Sequence, residues 1–414
     1  MTFISITRAL AFVAIILVLR VFQLSRRIQR SSISQLPGPW YSKYTGIVLD
    51  IYCVLGKRSF YVHDLHKKYG PVVRIAPNDV DITDAEAIRT IYSVKETFTK
   101  TAFYNGLVGP GQESMFSTLN VDFHRRHRKL LAQPMSETSL KTFIPAIRGL
   151  SDRAVERIST EMETCGAADV HKWFMFMTAD VIGQLTFGES FHMLELGKPN
   201  EYIRELKRVG RVGVLRSTFP NLTRMAYKLP VKLPIFTEAV EAGRNMRRFA
   251  HDSLNRYRRL VEEEPGKVKQ TLFTNVFKAE ENETLPFHEV ETEAHSYIVG
   301  GADTTANSLT YLVWAVCRQP SIRDKLVEEL QTLPEDYYES DLRTLPFLNC
   351  VIQETLRLYS ALPSALPRTV PREGSELAGY WLDAGTTVSA QAYSMHRNPE
   401  IFPNPDEFTP DRWL

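Results

Sequence analysis

The pattern of apolar and polar positions is dominated by residues 294–320, a mostly apolar stretch that is long enough for a helix crossing a whole domain. A short insert of small and polar residues interrupts this stretch near its middle. Two glycines inside a helix cost roughly 1 kcal/mol each relative to alanine, so we expect their small size to serve a purpose. The insert consists of Gly300, Gly301, Ala302, Asp303, Thr304 and Thr305.

Two interpretations of this insert are open. The first is a groove in the helix wall, with an acid and an alcohol at its edge, which would suit a flat ligand and a small molecule that needs protons. The second is a helix that begins here, with Asp303 or Thr304 as its N-cap after a Gly-Gly turn.

Helical periodicity recurs along most of the remaining chain, and few segments are rich in β-forming residues. Residues 72–76 and 80–83 predict a hairpin, and residues 366–369 and 386–389 predict two further short strands. The sequence therefore predicts a mainly α fold with small β-sheets, in the α+β class. The predicted helices cover residues 59–69, 84–92, 122–133, 139–188 with a break near Gly166, 200–210, 236–263, 321–330 and 346–358, and residues 100–120 are predicted to form a long loop.

The N-terminal residues predict a membrane anchor. Residues 3–22 are apolar except for Ser5, Thr7 and two arginines, whose long side chains can reach opposite membrane interfaces. We predict a single transmembrane anchor at residues 1–24 and a globular domain at residues 41–414. Residues 25–40 between them form a basic flank, which favours the cytoplasmic side, and a stiff Pro-Gly-Pro hinge. A cleaved signal peptide is the alternative interpretation of the first residues.

Composition excludes several classes of protein. The 414 residues include 50 basic and 48 acidic ones, and the net charge of +2 gives no sign of nucleic-acid binding. The four cysteines have no paired spacing, which argues against a disulfide framework and a zinc site and favours a reducing environment. They are Cys53, Cys165, Cys317 and Cys350.

Two predicted helices carry charged residues at helical spacing. His124 and Arg128 are four residues apart on a strongly basic helix and share one face. This face is either solvated or holds the carboxylates of a buried ligand. Glu354 and Arg357 are three residues apart, a spacing that is common on helices and weakly informative alone.

Together these segments resemble the cytochromes P-450, the haem-thiolate monooxygenases, over almost the whole chain. Each motif is unspecific by itself, but four occur in the order that the family shows. The phrases MHRNPEIFPNPDEFTPDRW and VIQETLRLY are also typical of fungal members. The motifs are His124-x-x-x-Arg128, with histidine where many members have tryptophan, the insert at residues 300–305, Glu354-x-x-Arg357, and Pro410-Asp411-Arg412-Trp413.

The resemblance implies a role for the insert. Asp303 and Thr304 would act as an acid–alcohol pair that relays protons to bound oxygen. Gly300, Gly301, Ala302 and Thr305 would line the groove for oxygen and substrate.

The resemblance also implies how the cofactor, haem b, is held. His124, Arg128 and Arg368 would bind the haem carboxylates, which need cations in a dry pocket. An ordinary surface arginine is the alternative for Arg368. A buried structural triad is implied as well, and breaking such a buried pair can cost roughly 3–5 kcal/mol. The triad consists of Glu354, Arg357 and Arg412.

One family feature is not found in the sequence. The resemblance implies that a cysteine thiolate ligates the iron, in a loop downstream of the Pro-x-Arg-aromatic segment. The sequence ends at Leu414, before that loop, and none of the four cysteines can replace the ligand on sequence grounds. We therefore expect the axial cysteine beyond Leu414, no metal ligand within the 414 residues, and poor or no haem binding by the chain as written.

The resulting hypothesis is a membrane-anchored monooxygenase that uses O2 and hydroxylates, epoxidises or desaturates a small lipophilic substrate, by resemblance a fungal secondary metabolite. It would receive electrons from an NADPH-cytochrome reductase at the endoplasmic reticulum membrane, with a single membrane pass and the globular part in the cytosol. One alternative is a non-catalytic remnant that cannot hold haem. Another is a peroxide-rearranging family member, against which the Asp303–Thr304 pair argues.

Overall fold

The computed structural model of the chain describes residues 31–94, 97–108, 112–228, 233–263, 271–274 and 285–414, together with Gln23 and Arg26. The chain divides into two compact units, of which the first contains residues up to 101 and residues 364–395. The second contains residues 102–363 and 396–414. Most of the predicted anchor and part of its basic flank lie outside the described residues. Among the helices that are described, none combines the length and the apolar character needed to cross a membrane.

Helices make up most of the described chain, which confirms the predicted mainly α fold with small sheets. In chain order they are α1 (Ile47–Val54), α2 (Arg58–Tyr69), α3 (Ala85–Ile91), α4 (Phe103–Leu107), α5 (Val121–Ala132), α6 (Glu137–Lys141), α7 (Ile144–Cys165), α8 (Val170–Phe187), α9 (Met193–Leu196), α10 (Glu201–Thr218), α11 (Pro220–Lys228), α12 (Pro234–Glu263), α13 (Phe287–Cys317), α14 (Pro320–Leu330), α15 (Glu339–Arg343), α16 (Pro346–Leu358) and α17 (Ala392–Met395).

The described strands belong to the first unit. The predicted hairpin is confirmed, because β1 and β2 pair antiparallel. The strand predicted at residues 386–389 is also present and pairs in parallel with β2, with Val388 opposite Val80. A five-stranded sheet has the order β1-β2-β7-β4-β3, and β5 and β6 form a separate antiparallel pair. The strands are β1 (Val72–Ala76), β2 (Asp79–Ile82), β3 (Thr99–Lys100), β4 (Arg368–Thr369), β5 (Ser375–Leu377), β6 (Tyr380–Leu382) and β7 (Thr387–Ser389).

The Pro-Gly-Pro segment, which the sequence predicts as a hinge, is packed against β1. Ile33 and Leu36 are buried in the apolar core of the first unit. The buried Arg74 guanidinium donates hydrogen bonds to the carbonyl oxygens of Ile33, Ser34 and Leu36 at 3.0, 3.1 and 2.8 Å. Gly38 has a φ of +155°, and a Cβ there would lie 2.5 Å from the Arg74 carbonyl oxygen. The described part of this segment is therefore an ordered element of the first unit.

The second unit is built around α13, which we call the central helix. It begins and ends slightly before the predicted stretch at residues 294–320 and continues without a break through the insert. The alternative interpretation, in which a helix begins at the insert, is therefore wrong. Ala294, Ile298 and Ala302 are buried on the side of the helix that packs in the main apolar core with α8.

Two smaller predictions have opposite outcomes. The predicted break near Gly166 is confirmed, because this residue caps α7 in a left-handed conformation with φ of 74°. The predicted long loop at residues 100–120 is partly wrong. It contains the end of β3 and the short helix α4, which packs against α10.

Candidate functional site

One edge of the central helix is open at the insert. Gly300 is exposed, and a Cβ at this position would meet no heavy atom of a described residue within 4 Å. One turn later, the Thr304 hydroxyl donates a hydrogen bond of 2.6 Å to the Gly300 carbonyl oxygen. Asp303 is partly exposed and makes no hydrogen bond or ion pair to another described residue. We call these three residues the open segment. It combines a carboxyl group, a hydroxyl group and space for a ligand.

The other residues of the insert serve helix packing. A Cβ on Gly301 would lie 3.0 Å from Ile182 Cδ1 on α8. Ala302 is fully buried, and its carbonyl oxygen accepts a hydrogen bond of 2.9 Å from the Thr178 hydroxyl. The small size of Gly301 thus allows α8 to approach, which differs from the expectation that this residue and Ala302 leave space for oxygen and substrate. Thr305 is exposed on the flank of the helix.

The two predicted carboxylate-binding residues lie on α5, which we call the cationic helix. Its N-terminus is capped by the Asn120 side chain, which accepts hydrogen bonds from two backbone N–H groups of the first turn. His124 is partly buried and Arg128 is exposed. The structure thus places an imidazole and a guanidinium one turn apart on one flank of the helix.

Sequence reasoning missed a buried histidine on the same helix. His127 is 1 % exposed, with Nδ1 2.8 Å from Glu293 Oε1 and Nε2 2.9 Å from Glu289 Oε2. Both glutamates belong to the central helix, and Arg126 donates a further hydrogen bond of 2.9 Å to Glu289. We call His127, Glu289 and Glu293 the His127 node. The available signal was a pair of glutamates four residues apart, Glu289 and Glu293, at a spacing that places them on one face of the helix.

The predicted charge triad is assembled around Glu354. This carboxylate accepts two hydrogen bonds of 2.8 Å from Arg357 and one of 3.1 Å from Arg412. It also accepts hydrogen bonds from the Thr409 backbone N–H and the Trp413 indole, which sequence reasoning did not include. Burial alone would raise the pKa of Glu354, but the hydrogen bonds from Arg357, Thr409 and Trp413 outweigh it and lower this pKa below its usual value. We call these five residues the charge cluster.

Arg368 belongs to the first unit, on β4. Its guanidinium lies over the Tyr92 ring, 5.3 Å from the centroid, and donates hydrogen bonds to the carbonyl oxygens of Leu366 and Pro367. These local contacts give the side chain a defined direction within its own unit.

None of the four cysteines forms a disulfide. Cys317 is the last residue of the central helix, 14 positions beyond Asp303, which corresponds to roughly 21 Å along the helix axis. Cys350 is buried in a core cluster, and this burial raises the pKa of its thiol. Cys165 is exposed at the end of α7, and Cys53 is partly buried in the first unit. In the described part of the chain, no group of three or more His, Cys, Asp or Glu side chains could hold a metal ion.

Comparison with known proteins supports the resemblance seen in the sequence. Residues 37–414 match the family described as Cytochrome P450. The chain is 42 % identical over 407 residues to cytochrome P450 monooxygenase tazI of Aspergillus terreus, covering 98 % of this chain and 83 % of the relative. It is 39 % identical to cytochrome P450 monooxygenase orf2 of Aspergillus niger, covering 96 % and 81 % of the two chains. Cytochrome P450 monooxygenase stcB of Emericella nidulans is 32 % identical, with 92 % and 73 % covered. The chain therefore belongs to the cytochrome P450 family of monooxygenases.

Proposed function

We propose that this protein is a monooxygenase that hydroxylates, epoxidises or desaturates a small lipophilic molecule in fungal secondary metabolism. The observation that carries the proposal is the open segment, because a carboxyl group with no partner among the described residues and a hydroxyl group lie beside the exposed Gly300, on a helix whose other side packs in the main apolar core. The similarity to fungal monooxygenases supports the same class of reaction. The remnant hypothesis is not favoured, since the upstream motifs are intact.

The family uses haem b, which supplies oxygen activation when it is bound. The described residues fit its periphery. His124 and Arg128 are the cations that would hold its carboxylates, and Gly300 presents a side of the central helix with no side chain. Arg368, on the first unit, is proposed as a third cation. The three cysteines of the second unit do not fit the role of axial ligand, since Cys317 is remote from Asp303, Cys350 is buried in apolar surroundings and Cys165 is exposed at the end of α7.

Asp303 and Thr304 are proposed to move protons to the reacting oxygen. The Thr304 hydroxyl donates to the Gly300 carbonyl, so its oxygen lone pairs remain available to accept a proton or hydrogen bond. Asp303 is partly exposed and can therefore exchange protons with solvent. An acid that reaches solvent and a neighbouring alcohol form a relay whose contribution to rate is typically 10²–10⁴-fold.

The substrate is proposed to contact the segments at residues 100–120 and 200–240. The structure brings parts of both together: a Cβ on Gly106 would lie 2.4 Å from Ser217 Cα, and Arg216 Nε donates a hydrogen bond of 2.8 Å to the Gly106 carbonyl oxygen. This close contact supports a shared role in shaping one binding region. By resemblance to fungal members, we propose a polyketide or terpenoid as the substrate class.

The membrane location remains a proposal that rests on the apolar residues 3–22. In this proposal residues 1–24 anchor the protein in the endoplasmic reticulum membrane by a single pass, and the globular part faces the cytosol. An NADPH-cytochrome reductase on the same membrane supplies electrons. Membrane lipid is therefore a partner as well.

The test is expression of the full chain in yeast microsomes together with a fungal NADPH-cytochrome reductase. We expect a Soret band that shows haem incorporation. Because the cysteines of the second unit do not fit the role of axial ligand, the carbon monoxide difference spectrum tests separately whether a thiolate ligates the iron. A panel of polyketides and terpenoids is then screened for a spectral shift and for NADPH-dependent oxygenated products. Absence of haem, or haem without NADPH-dependent oxygenated products, would contradict the proposal for this chain.

A further inference from the structure

The His127 node joins two helices through buried polar contacts. The His127 ring stacks on Phe123 with centroids 3.9 Å apart, and both ring nitrogens contact carboxylates of the central helix. Glu293 is 1 % exposed, whereas Glu289 lies nearer to solvent. A buried carboxylate has a high desolvation cost, which hydrogen bonds must offset.

The node also holds a third element, the loop at residues 112–120. The Met115 backbone N–H donates a hydrogen bond of 2.5 Å to Glu293 Oε1, the same oxygen that contacts His127. The neighbouring Ser114 hydroxyl lies 3.4 Å from the Ser296 hydroxyl on the central helix. Glu293 Oε1 is thus a common point of the cationic helix, the loop and the central helix. Its second oxygen, Oε2, is buried without a hydrogen-bond partner among the described residues.

The position of His127 determines how the cationic helix is rotated. Successive residues of an α-helix are about 100° apart, so His124 and Arg128 lie about 60° and 100° from His127 on the same flank. With His127 and Leu131 directed into the core, His124 is partly buried at the edge and Arg128 is exposed. A rotation or shift of the helix would move both cations together.

We propose that His127 and Glu293 are positioning residues, which set the cationic helix and the loop at residues 112–120 on the central helix so that His124 and Arg128 present their cations to haem carboxylates. This inference rests on the proposed function, because the ligand is haem. In this inference His127 and Glu293 do not contact the haem carboxylates themselves. They act through His124 and Arg128, which do. Partners of this indirect kind typically change cofactor affinity 10–100-fold when they are removed from metal sites.

The first experiment uses the chain without haem. Hydrogen exchange at the Met115 amide is measured in the wild type, Glu293→Ala and Glu293→Gln. We expect exchange to be at least roughly tenfold faster in Glu293→Ala. Glu293→Gln keeps an acceptor oxygen at this position and should retain most of the protection, which would show rescue by the conservative variant. Equal protection in all three proteins would overturn the role of Glu293.

The second experiment compares haem with haem dimethyl ester, whose carboxylates are neutralised. Affinities of both are measured by Soret titration for the wild type, His127→Ala and Arg128→Ala. We expect His127→Ala and Arg128→Ala to lose roughly tenfold or more in affinity for haem and little for the ester. The matched control is His251→Ala. His251 on α12 also pairs with a glutamate of the central helix, 2.5 Å from Glu291, which lies about 160° around that helix from Glu289 and Glu293. This variant should bind both ligands within about twofold of the wild type.

The outcomes separate this inference from the proposed function. A wild type that binds neither ligand overturns the proposed haem function and the role of the node toward haem. Equal losses of haem and ester in His127→Ala, or an equal loss in His251→Ala, would show a general effect on folding and overturn the inference while haem binding stands. Should His127→Ala fail to fold, His127→Leu, which fills much of the same volume but has no ring nitrogen to contact Glu289 or Glu293, undergoes the same comparison. An unchanged haem-to-ester ratio in this variant overturns the inference.

Discussion

The charge cluster and the open segment are both polar sites within helices of the second unit, but they differ in how completely their polar groups are paired. Both oxygens of Glu354 accept hydrogen bonds, and Arg357 also donates to the carbonyl oxygens of His396 and Pro405 at 2.6 and 2.7 Å. Asp303 has no partner among the described residues, and Gly300 faces space. A polar group whose bonds are completed within the protein stabilises the fold, whereas one that is left open is available for a ligand or a proton.

This difference gives the two sites opposite expected responses to mutation. Changes in the charge cluster should lower the free energy of unfolding, since they leave buried groups without partners. Removal of the Asp303 carboxylate from the open segment should leave that free energy nearly unchanged and act on catalysis. Each prediction below tests one side of this contrast.

The largest effect is expected for Arg357→Ala. The substitution removes the Arg357 guanidinium. The buried Glu354 carboxylate then has no principal partner, and three backbone carbonyl oxygens lose the Arg357 donor. We expect the free energy of unfolding to fall by about 3–5 kcal/mol, measured by urea unfolding. The matched control is Arg343→Ala, because Arg343 also pairs with a glutamate on a helix but is exposed, and this variant should lose less than about 1 kcal/mol. If both variants lost a similar free energy of unfolding, the buried ion pair of Arg357 would stabilise the fold no more than the exposed ion pair of Arg343.

The second prediction concerns Asp303→Asn in the haem-loaded enzyme with reductase. We expect NADPH-dependent product formation to fall about 100-fold, because the amide cannot pass on a proton. The free energy of unfolding should change by less than about 0.5 kcal/mol, since no hydrogen bond or ion pair to a described residue is lost. Glu291→Gln, which alters a carboxylate about three turns before the insert on the same helix, serves as the control and should retain activity. A stability loss without a loss of turnover would assign Asp303 to structure.

The third prediction follows from the pKa of Glu354, which is lower in the folded protein than its usual value of about 4.5. As the pH falls, the Glu354 carboxylate therefore takes up a proton at a higher pH in the unfolded chain than in the folded chain. The stabilisation by ionised Glu354 is therefore complete above about pH 5 and is lost as the pH falls through the lower, folded pKa. We expect Glu354→Gln to have a lower free energy of unfolding than the wild type at pH 7 and a weaker dependence on pH below 5. Parallel pH profiles for both proteins would contradict the assigned pairing.

The sequence predicts the charge cluster better than the ligand-facing residues for a physical reason. Glu354 and Arg357 are partners at helical spacing, so the pattern contains both halves of the interaction. Arg412 was predicted only through the family resemblance, because its 58-residue separation from Glu354 leaves no local signal. Trp413 was part of a recognised motif, but its hydrogen bond to Glu354 depends on the tertiary fold.

The same limit explains the residues that sequence reasoning missed or assigned differently. His127 is one of six consecutive basic residues, and only the packing of two helices shows that it alone is buried between glutamates. Gly300 and Gly301 are indistinguishable as sequence, yet adjacent helix positions point about 100° apart. One therefore faces space and the other faces Ile182. Periodicity predicts that a helix is present, but the neighbours that occupy each side are set by the fold.

The smallest expected effect is a contrast between these two adjacent glycines in the chain without haem. Gly300→Ala should raise the free energy of unfolding by about 1 kcal/mol, because alanine favours the helix and its Cβ meets no described atom within 4 Å. In Gly301→Ala the same gain is offset, because the new Cβ would lie 3.0 Å from Ile182 Cδ1 and force this side chain or α8 to move. We expect Gly301→Ala to be less stable than Gly300→Ala by about 1 kcal/mol in urea unfolding. Combining Gly301→Ala with Ile182→Val sharpens the test, since the shorter side chain removes the contacting Cδ1 atom and should reduce the penalty that alanine adds at position 301. If the two single alanine variants are equally stable, both glycines face comparable space, and the open segment would extend across the side of the helix that we assign to packing.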